Sequence, residues 1–360
     1  MAYYHSKYGY RNKRKRPRWV RFLLWTLVLL IIASMVAGYF LYNAIFRNNV
    51  WIPEGNSVSV YIPTGATYDD VRLILYGQGI IENRSTFEWL AERKKYPRLV
   101  KPGHYVIRKG MSNDELINLL RMGEQTPVKV IFNNIRTAEE LAQRISRQIE
   151  SDSASLISAM TDSAYLAGKG LSRETALTLF IPNTYEFYWN TTAGQFMERM
   201  HREYMIFWKD ERSVKAAETD LSIPEIVTLA SIVEKETNKN DEKARIAGVY
   251  INRLKKNWLL QADPTLVYAA GDFSIKRVLN EHKKIDSPYN TYIHAGLPPG
   301  PICIPSIASI DAVLNHEEHD YLFFCASDDM SGYHVFAKSI TQHNKNARKY
   351  QRALDLRKQN

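Results

Sequence analysis

Two glutamates two positions apart, Glu234 and Glu236, close the apolar run Leu229-Ala-Ser-Ile-Val-Glu-Lys-Glu-Thr237. A carboxyl group carried out of such a run loses hydration, which disfavours its charged form and raises its pKa toward the range of a general acid. The element that must position it is a helix. Ser222-Ile-Pro-Glu225 has the form of a capping box with proline in the first turn, and Ile226, Val227, Leu229, Ala230, Ile232 and Val233 follow it. A helix apolar nearly all round is buried, so Glu234 is expected to emerge from a core as a proton donor. The opposing reading makes both glutamates the solvated end of a core helix among Lys235, Lys239 and Lys243.

The loops that follow weigh against that second reading. Gln261-Ala-Asp263-Pro-Thr265 and Ser287-Pro-Tyr289-Asn290-Thr-Tyr292 supply amides and a carboxylate for sugar hydroxyls, and Tyr268, Tyr289 and Tyr292 supply rings that stack on sugar faces. Taken singly, Gln261 and Asn290 could as well satisfy buried backbone, and Gly296-Leu-Pro-Pro-Gly-Pro could be a stiff turn. No Cys/His grouping has metal-ligand spacing, and His316-Glu-Glu-His319 lacks the four-residue separation of the zinc-protease pattern; it reads as an exposed helix end. No glycine-rich phosphate cradle accompanies a lysine, which argues against pyridoxal phosphate. No cofactor and no metal are expected.

The whole ordered set resembles the catalytic domain of the endolytic murein transglycosylases, the YceG-like family. The resemblance runs from an N-terminal apolar segment to Gly332-Tyr-His334-Val-Phe336 and Gln342-His343-Asn344, and is densest between Leu229 and Ile302. It implies that the first glutamate, Glu234, is the catalytic acid, with Glu236 supporting or competing. Gln261, Asp263, Tyr289 and Asn290 carry over as substrate-binding or orienting residues along the cleft. One departure stands in Leu179-Phe-Ile-Pro-Asn183-Thr-Tyr185, where the family has aspartate at the position of Asn183; an acid–base role for that loop is in doubt, while Tyr185, Glu186 and Trp189 remain candidates for the groove wall.

The implied chemistry explains why one carboxylate suffices. Ordinary glycoside hydrolases use two, whereas a lytic transglycosylase lets the muramoyl O6 hydroxyl attack its own anomeric carbon and leaves a 1,6-anhydro end. Intramolecular attack carries an effective molarity of about 10⁵ M or more, and no water need be activated. A muramidase using Asp263 as second carboxylate and a noncatalytic glycan-binding scaffold are the alternatives.

Location follows from the N-terminus. Residues 22–46 form an uncharged run long enough to cross a hydrocarbon core of about 30 Å, and exceed the roughly 7–15 apolar residues of a cleaved signal. Lys7, Arg11, Lys13, Arg14, Lys15, Arg16, Arg18 and Arg21 precede it, against Arg47 after it, so residues 1–21 are expected in the cytoplasm and the remainder outside the membrane. Part of the net charge of +10 lies in this tail; beside a membrane span it is assigned to topology and anionic lipid, not nucleic acid. The expected partners are peptidoglycan strands, the membrane and, by position, penicillin-binding proteins or other wall-synthesis enzymes.

The expected fold class is α+β: a single transmembrane helix at 22–46, a linker at 47–56, a small β-α-α-β module resembling LysM at 57–125, and a mixed catalytic domain at 126–356. The stripe Phe196, Met200, Tyr204 and Phe207 is expected to be core, and 321–326 a buried strand holding Cys325 as a small hydrophobe. Cys303 and Cys325 are the only cysteines, and spacing leaves their pairing open.

Overall fold

The computed structural model describes residues 18–359; the basic tail read from the sequence falls, up to residue 17, outside the described residues. The chain divides into two compact units, Met1–Thr126 and Pro127–Asn360.

In the first unit, α1 (Arg18–Phe46) is a 29-residue helix with no buried residue. At 1.5 Å per residue it is about 44 Å long, more than enough for a bilayer core. Strand β1 (Ser57–Ile62) pairs antiparallel with β2 (Gly103–Arg108), Ser57 opposite Arg108 and Ile62 opposite Gly103. Between them lie α2 (Tyr68–Gly77), opened by a Thr67/Asp70 capping box, and α3 (Arg84–Arg93), capped by Asn83. After β2 comes α4 (Asn113–Met122), with a Ser112/Glu115 box at its start and left-handed Gly123 at its end. Val60, Ile62, Val71, Leu75, Phe87, Tyr105, Ile107, Leu116 and Leu120 close the core.

Within the segment expected as a linker, 47–56, residues 48–52 pack into this unit, and 53–56 are exposed. Val50 and Ile52 are buried in its core, and Asn48 and Val50 form β-bridges to Ser112 and Ile81. Buried Asn49 donates to the Asn83 carbonyl at 2.9 Å and to Asn113 Oδ1 at 2.6 Å, while Asn113 donates to the Ala44 carbonyl at 2.9 Å. Buried amides demand partners, and here their partners tie the end of α1 to the module.

The second unit holds two cores. In one, β3 (Val128–Phe132) pairs antiparallel with β4 (Asn183–Phe187), and α5 (Ala138–Ser146), α6 (Ser153–Met160), α7 (Ser163–Ala167) and α8 (Ala193–Phe207) pack around Phe132, Phe180 and Phe196. Tyr185, a candidate for the groove, lies inside this core, 5.7 Å from the Phe132 ring with its hydroxyl donated to the Ile181 carbonyl. Glu186 is exposed on the same strand because side chains alternate along it, and Asn183 is exposed at the strand's first position.

The other core gathers α10 (Ile223–Glu236), α11 (Asn240–Lys255) and α13 (Ile307–Leu314), preceded by α9 (Glu211–Glu218). Residues Ile226 to Val233 are buried without interruption, as an all-round apolar helix requires. Gly248 lets the segment after α13 lie on α11: a Cβ there would sit 2.4 Å from the Glu317 carbonyl oxygen. His319 belongs to this contact, donating Nε2–H to the Arg245 carbonyl, and is not the exposed helix end expected. The short α12 (Asp263–Ala270) precedes the loops, and the hairpin β5 (Phe323–Ala326)–β6 (His334–Ala337) carries α14 (Ile340–Gln359). The β5 side chains, Cys325 among them, are all half-buried, so 321–326 is not the buried strand expected. Cys303 is buried, and both cysteines are free thiols.

Candidate active site

Glu234 and Glu236 leave the last turn of α10 about 200° apart and enter different surroundings. Glu234 turns toward α11 and α13. Its Oε2 receives Lys243 Nζ at 2.9 Å, Ser306 Oγ at 2.5 Å and Ser309 Oγ at 2.5 Å, and the Ser306 amide approaches at 3.4 Å. Ser306 caps α13, so the carboxylate also faces a helix N-terminus, which favours negative charge. Burial alone would raise its pKa, but the hydrogen bonds from Ser306 and Ser309 and the Lys243 ammonium outweigh it and hold the carboxyl below the usual range. The expected upward shift at Glu234 is thus reversed: it is an anion locked where three helices meet.

Glu236 turns the other way, into a cavity of about 670 Å³ that it lines with Asp263, Tyr268, Arg136 and Lys235. Together with Asp263 it also lines a neighbouring cavity of about 290 Å³ with Tyr250, Arg253, Gln261 and Tyr292. The residue is half-buried, and desolvation of its carboxyl group pushes the pKa up to about 7; the hydrogen bond from Tyr250 opposes that rise, the charge of Asp263 adds to it and Arg253 opposes it. The Tyr250 hydroxyl donates to Oε1 at 2.5 Å, and among the described residues nothing donates to Oε2.

The supporting side chains are fixed by their own contacts. Arg253 donates to the Leu322 carbonyl at 2.7 Å and the Leu260 carbonyl at 2.6 Å. Asp263 Oδ1 receives the Tyr292 hydroxyl at 2.6 Å. Their two loops are zipped together: the Gln261 amide donates to the Thr291 carbonyl, the Ala262 amide to Thr291 Oγ1, and the Thr265 and Thr291 hydroxyls lie 2.8 Å apart. Gln261 pays for this register with a left-handed φ of 50°, a conformation that non-glycine residues rarely adopt.

Of the six residues expected at the site, Glu236, Gln261 and Asp263 meet around the cavities. Asn290 does not. It is fully buried, donates to the Lys283 and Ile285 carbonyls and accepts from the Tyr292 amide, so its amide holds the loop and is out of reach of a sugar. Tyr289 packs its ring 4.7 Å from Tyr268, and Tyr268 is the one that reaches the larger cavity. The Gly-Leu-Pro-Pro-Gly-Pro segment is the stiff turn: a Cβ on Gly300 would lie 2.0 Å from the Glu174 carbonyl oxygen, and Ile302 then bonds back to Ser231 of α10.

Tyr250 and Arg253 were not singled out as site residues by type and spacing. The signal was present, since residues three apart on α11 share one face. Among the described residues there is no cluster of His, Cys, Asp and Glu fit to hold a metal ion.

The arrangement can deliver a proton from Glu236 and take one back, beside a fixed anion at Asp263 and rings at Tyr268 and Tyr292. Known proteins resemble the chain over most of its length. The profile described as the YceG-like family matches residues 60–349. The endolytic murein transglycosylase of Bacillus subtilis (strain 168) is 29% identical over 336 residues, covering 88% of this chain and 91% of the relative. The protein of that name in Streptococcus pneumoniae is 27% identical over 90% of this chain, which spans 64% of the longer pneumococcal protein. A 2.6 Å crystal structure of a yceG-like protein from Listeria monocytogenes superposes with a TM-score of 0.55 at 29% identity, covering 81% of this chain and 98% of that one.

Proposed function

The chain belongs to the YceG-like family, and from that premise we propose that it is a membrane-anchored endolytic murein transglycosylase whose catalytic acid is Glu236, with Glu234 in a structural role. It is a lyase acting on peptidoglycan, cutting MurNAc–GlcNAc bonds inside glycan strands. The observation that carries the residue assignment is the contrast between the two carboxyls: one held ionised by Lys243, Ser306 and Ser309 gathered on its Oε2, the other raised to about 7 and lining two cavities.

A carboxyl with a pKa near 7 is about half protonated at neutral pH, which suits a group that must both give and accept a proton. Glu236 donates through Oε2 to the glycosidic oxygen. As the leaving sugar departs, Tyr250 stabilises the new carboxylate through Oε1 and Arg253 adds its charge. Asp263, held by Tyr292, presents a negative charge to the oxocarbenium-like carbon. The Glu236 carboxylate then removes the proton from the muramoyl O6 hydroxyl as that oxygen closes the 1,6-anhydro ring.

The test compares Glu236→Gln and Glu234→Gln on purified strands, with products separated into anhydro and reducing ends. Glu236→Gln should abolish release, while Glu234→Gln retains it in proportion to the protein that folds. Anhydro-ended fragments from Glu236→Gln would overturn the assignment, and reducing ends from wild type would favour the muramidase with Asp263 as base.

Finer features belong to the same reading. Helix α1 anchors the chain with its basic flank in the cytoplasm and the second unit outside, near the emerging strands where penicillin-binding proteins work. The strand–helix–helix–strand order of residues 57–108 supports a LysM-like glycan-binding role for the 57–125 module, limiting strand length with the catalytic unit.

A further inference from the structure

The larger cavity carries an excess of positive charge that the proton chemistry does not use. Arg136, Lys235, Lys276 and Arg277 line it, against the two carboxyls of Glu236 and Asp263. Among the described residues none of these four cations is in an ion pair. The Arg136 guanidinium carbon lies over Phe273, 4.4 Å from the ring centroid, so a cation–π contact holds it at the wall. Lys235 leans on the side-chain oxygen of Asn134, a neutral acceptor. Lys276 and Arg277 are exposed on the loop after α12. Four cations around one cavity repel one another, and its two carboxyls only partly offset them. Such a wall concentrates an anionic ligand.

A neutral polysaccharide would gain little from four cations; muramoyl residues, however, bear carboxylates, either on their stem peptides or as the free lactyl group where the stem is gone. Resting on the transglycosylase reading above, we propose that Arg136, Lys235, Lys276 and Arg277 form a carboxylate-binding subsite that selects glycan by the acidic group attached to the muramoyl residue beside the scissile bond. Arg136 and Arg277 offer planar forks suited to a carboxylate, and the lysines add point charges. Specificity then arises from groups other than the Glu236–Asp263 pair. Neutral β-linked glycans such as chitin oligomers lack the matching group and bind weakly.

The full chain in detergent is tested on three substrates: strands with intact stems, strands whose stem carboxylates have been converted to amides, and strands stripped to the lactyl carboxylate. The variant is Lys276→Gln/Arg277→Gln, with Lys276→Arg/Arg277→Lys as the charge-conserving control. Wild type should show a KM lower by about tenfold on a carboxylate-bearing substrate than on the amidated one, at similar kcat, and the advantage should shrink as salt rises. The double glutamine variant should lose that advantage and the control should keep it. An advantage confined to intact stems assigns the ligand to the peptide, and one that persists on stripped strands assigns it to the lactyl group. Equal KM for wild type and glutamine variant on all three substrates, with anhydro products still formed, would overturn the subsite alone. Absence of anhydro products from wild type on every substrate would instead overturn the transglycosylase reading.

Discussion

Replacing Glu236 with glutamine is expected to stabilise the protein while removing its activity, and the gain should depend on pH in a way that locates the buried carboxyl. In the unfolded chain this group titrates near 4.5, and in the folded protein near 7. Below about pH 4 it is neutral in both states, and a neutral amide of similar shape changes little. As pH rises through the interval between 4.5 and 7, the unfolded chain releases its proton while the folded protein holds it, so stability falls. Above about 7 both states are ionised and the penalty is constant. At about 1.36 kcal/mol per pH unit, the interval amounts to a penalty of roughly 3 kcal/mol. Glutamine escapes it and still accepts from Tyr250. For a unit of this size 1 kcal/mol moves Tm by about 2–4 °C, so the variant should melt some 6–12 °C above wild type near pH 8 and close to it near pH 4. Thermal unfolding of the full chain in detergent, followed by tryptophan fluorescence, reads this directly. Parallel Tm curves for the two proteins from acid to alkaline pH would refute the reasoning, because they would mean that the carboxyl titrates alike in both states.

Four further outcomes follow from the same geometry. Glu234→Gln should lower stability by about 3–5 kcal/mol at neutral pH, since it leaves the Lys243 ammonium buried without its counter-ion; wild type should itself lose stability as pH falls through the lowered pKa of Glu234, and this loss should be absent in the variant. Tyr250→Phe deletes a hydrogen bond to a carboxylate worth about 1.5–3 kcal/mol, so the alkaline limb of the kcat/KM profile should move up by about one to two pH units and the rate should drop. Asn290→Ala strands the Lys283 and Ile285 carbonyls and the Tyr292 amide at a cost of about 2–3 kcal/mol; hydrogen exchange should accelerate in residues 283–292. Gly300→Ala drives a methyl into the Glu174 carbonyl, and its melting temperature should fall even though the residue lies outside both cavities.

Much of the fold was legible. The capping boxes at Thr67, Ser112 and Ser222 name their helix starts, because a hydroxyl three residues before a carboxylate satisfies two orphan amides at once. The apolar run up to Phe46 and the alternation in β1 are local patterns, and local energetics decide them. The linker was misread because Asn49, Val50 and Ile52 owe their burial to partners at Ile81, Asn83, Ser112 and Asn113, far along the chain. Tyr185 failed for a related reason: a tyrosine on a strand faces either side, and pairing with β3 turned it onto Phe132.

The site divides along the same line. The sequence by itself determined that a buried helix ends in two carboxyls, that amide- and tyrosine-bearing loops follow, and that the order of motifs is that of the YceG-like family. The family resemblance put Glu234 first and Glu236 second, but hydration alone does not separate them, since both leave the same helix within one turn. Only the tertiary structure decided that Lys243, Ser306 and Ser309 surround one, while Tyr250, Arg253 and Asp263 surround the other. A pKa is set by the charges and hydrogen bonds within a few ångströms of the group, and folding brought those neighbours from 9 to 75 residues away for Glu234.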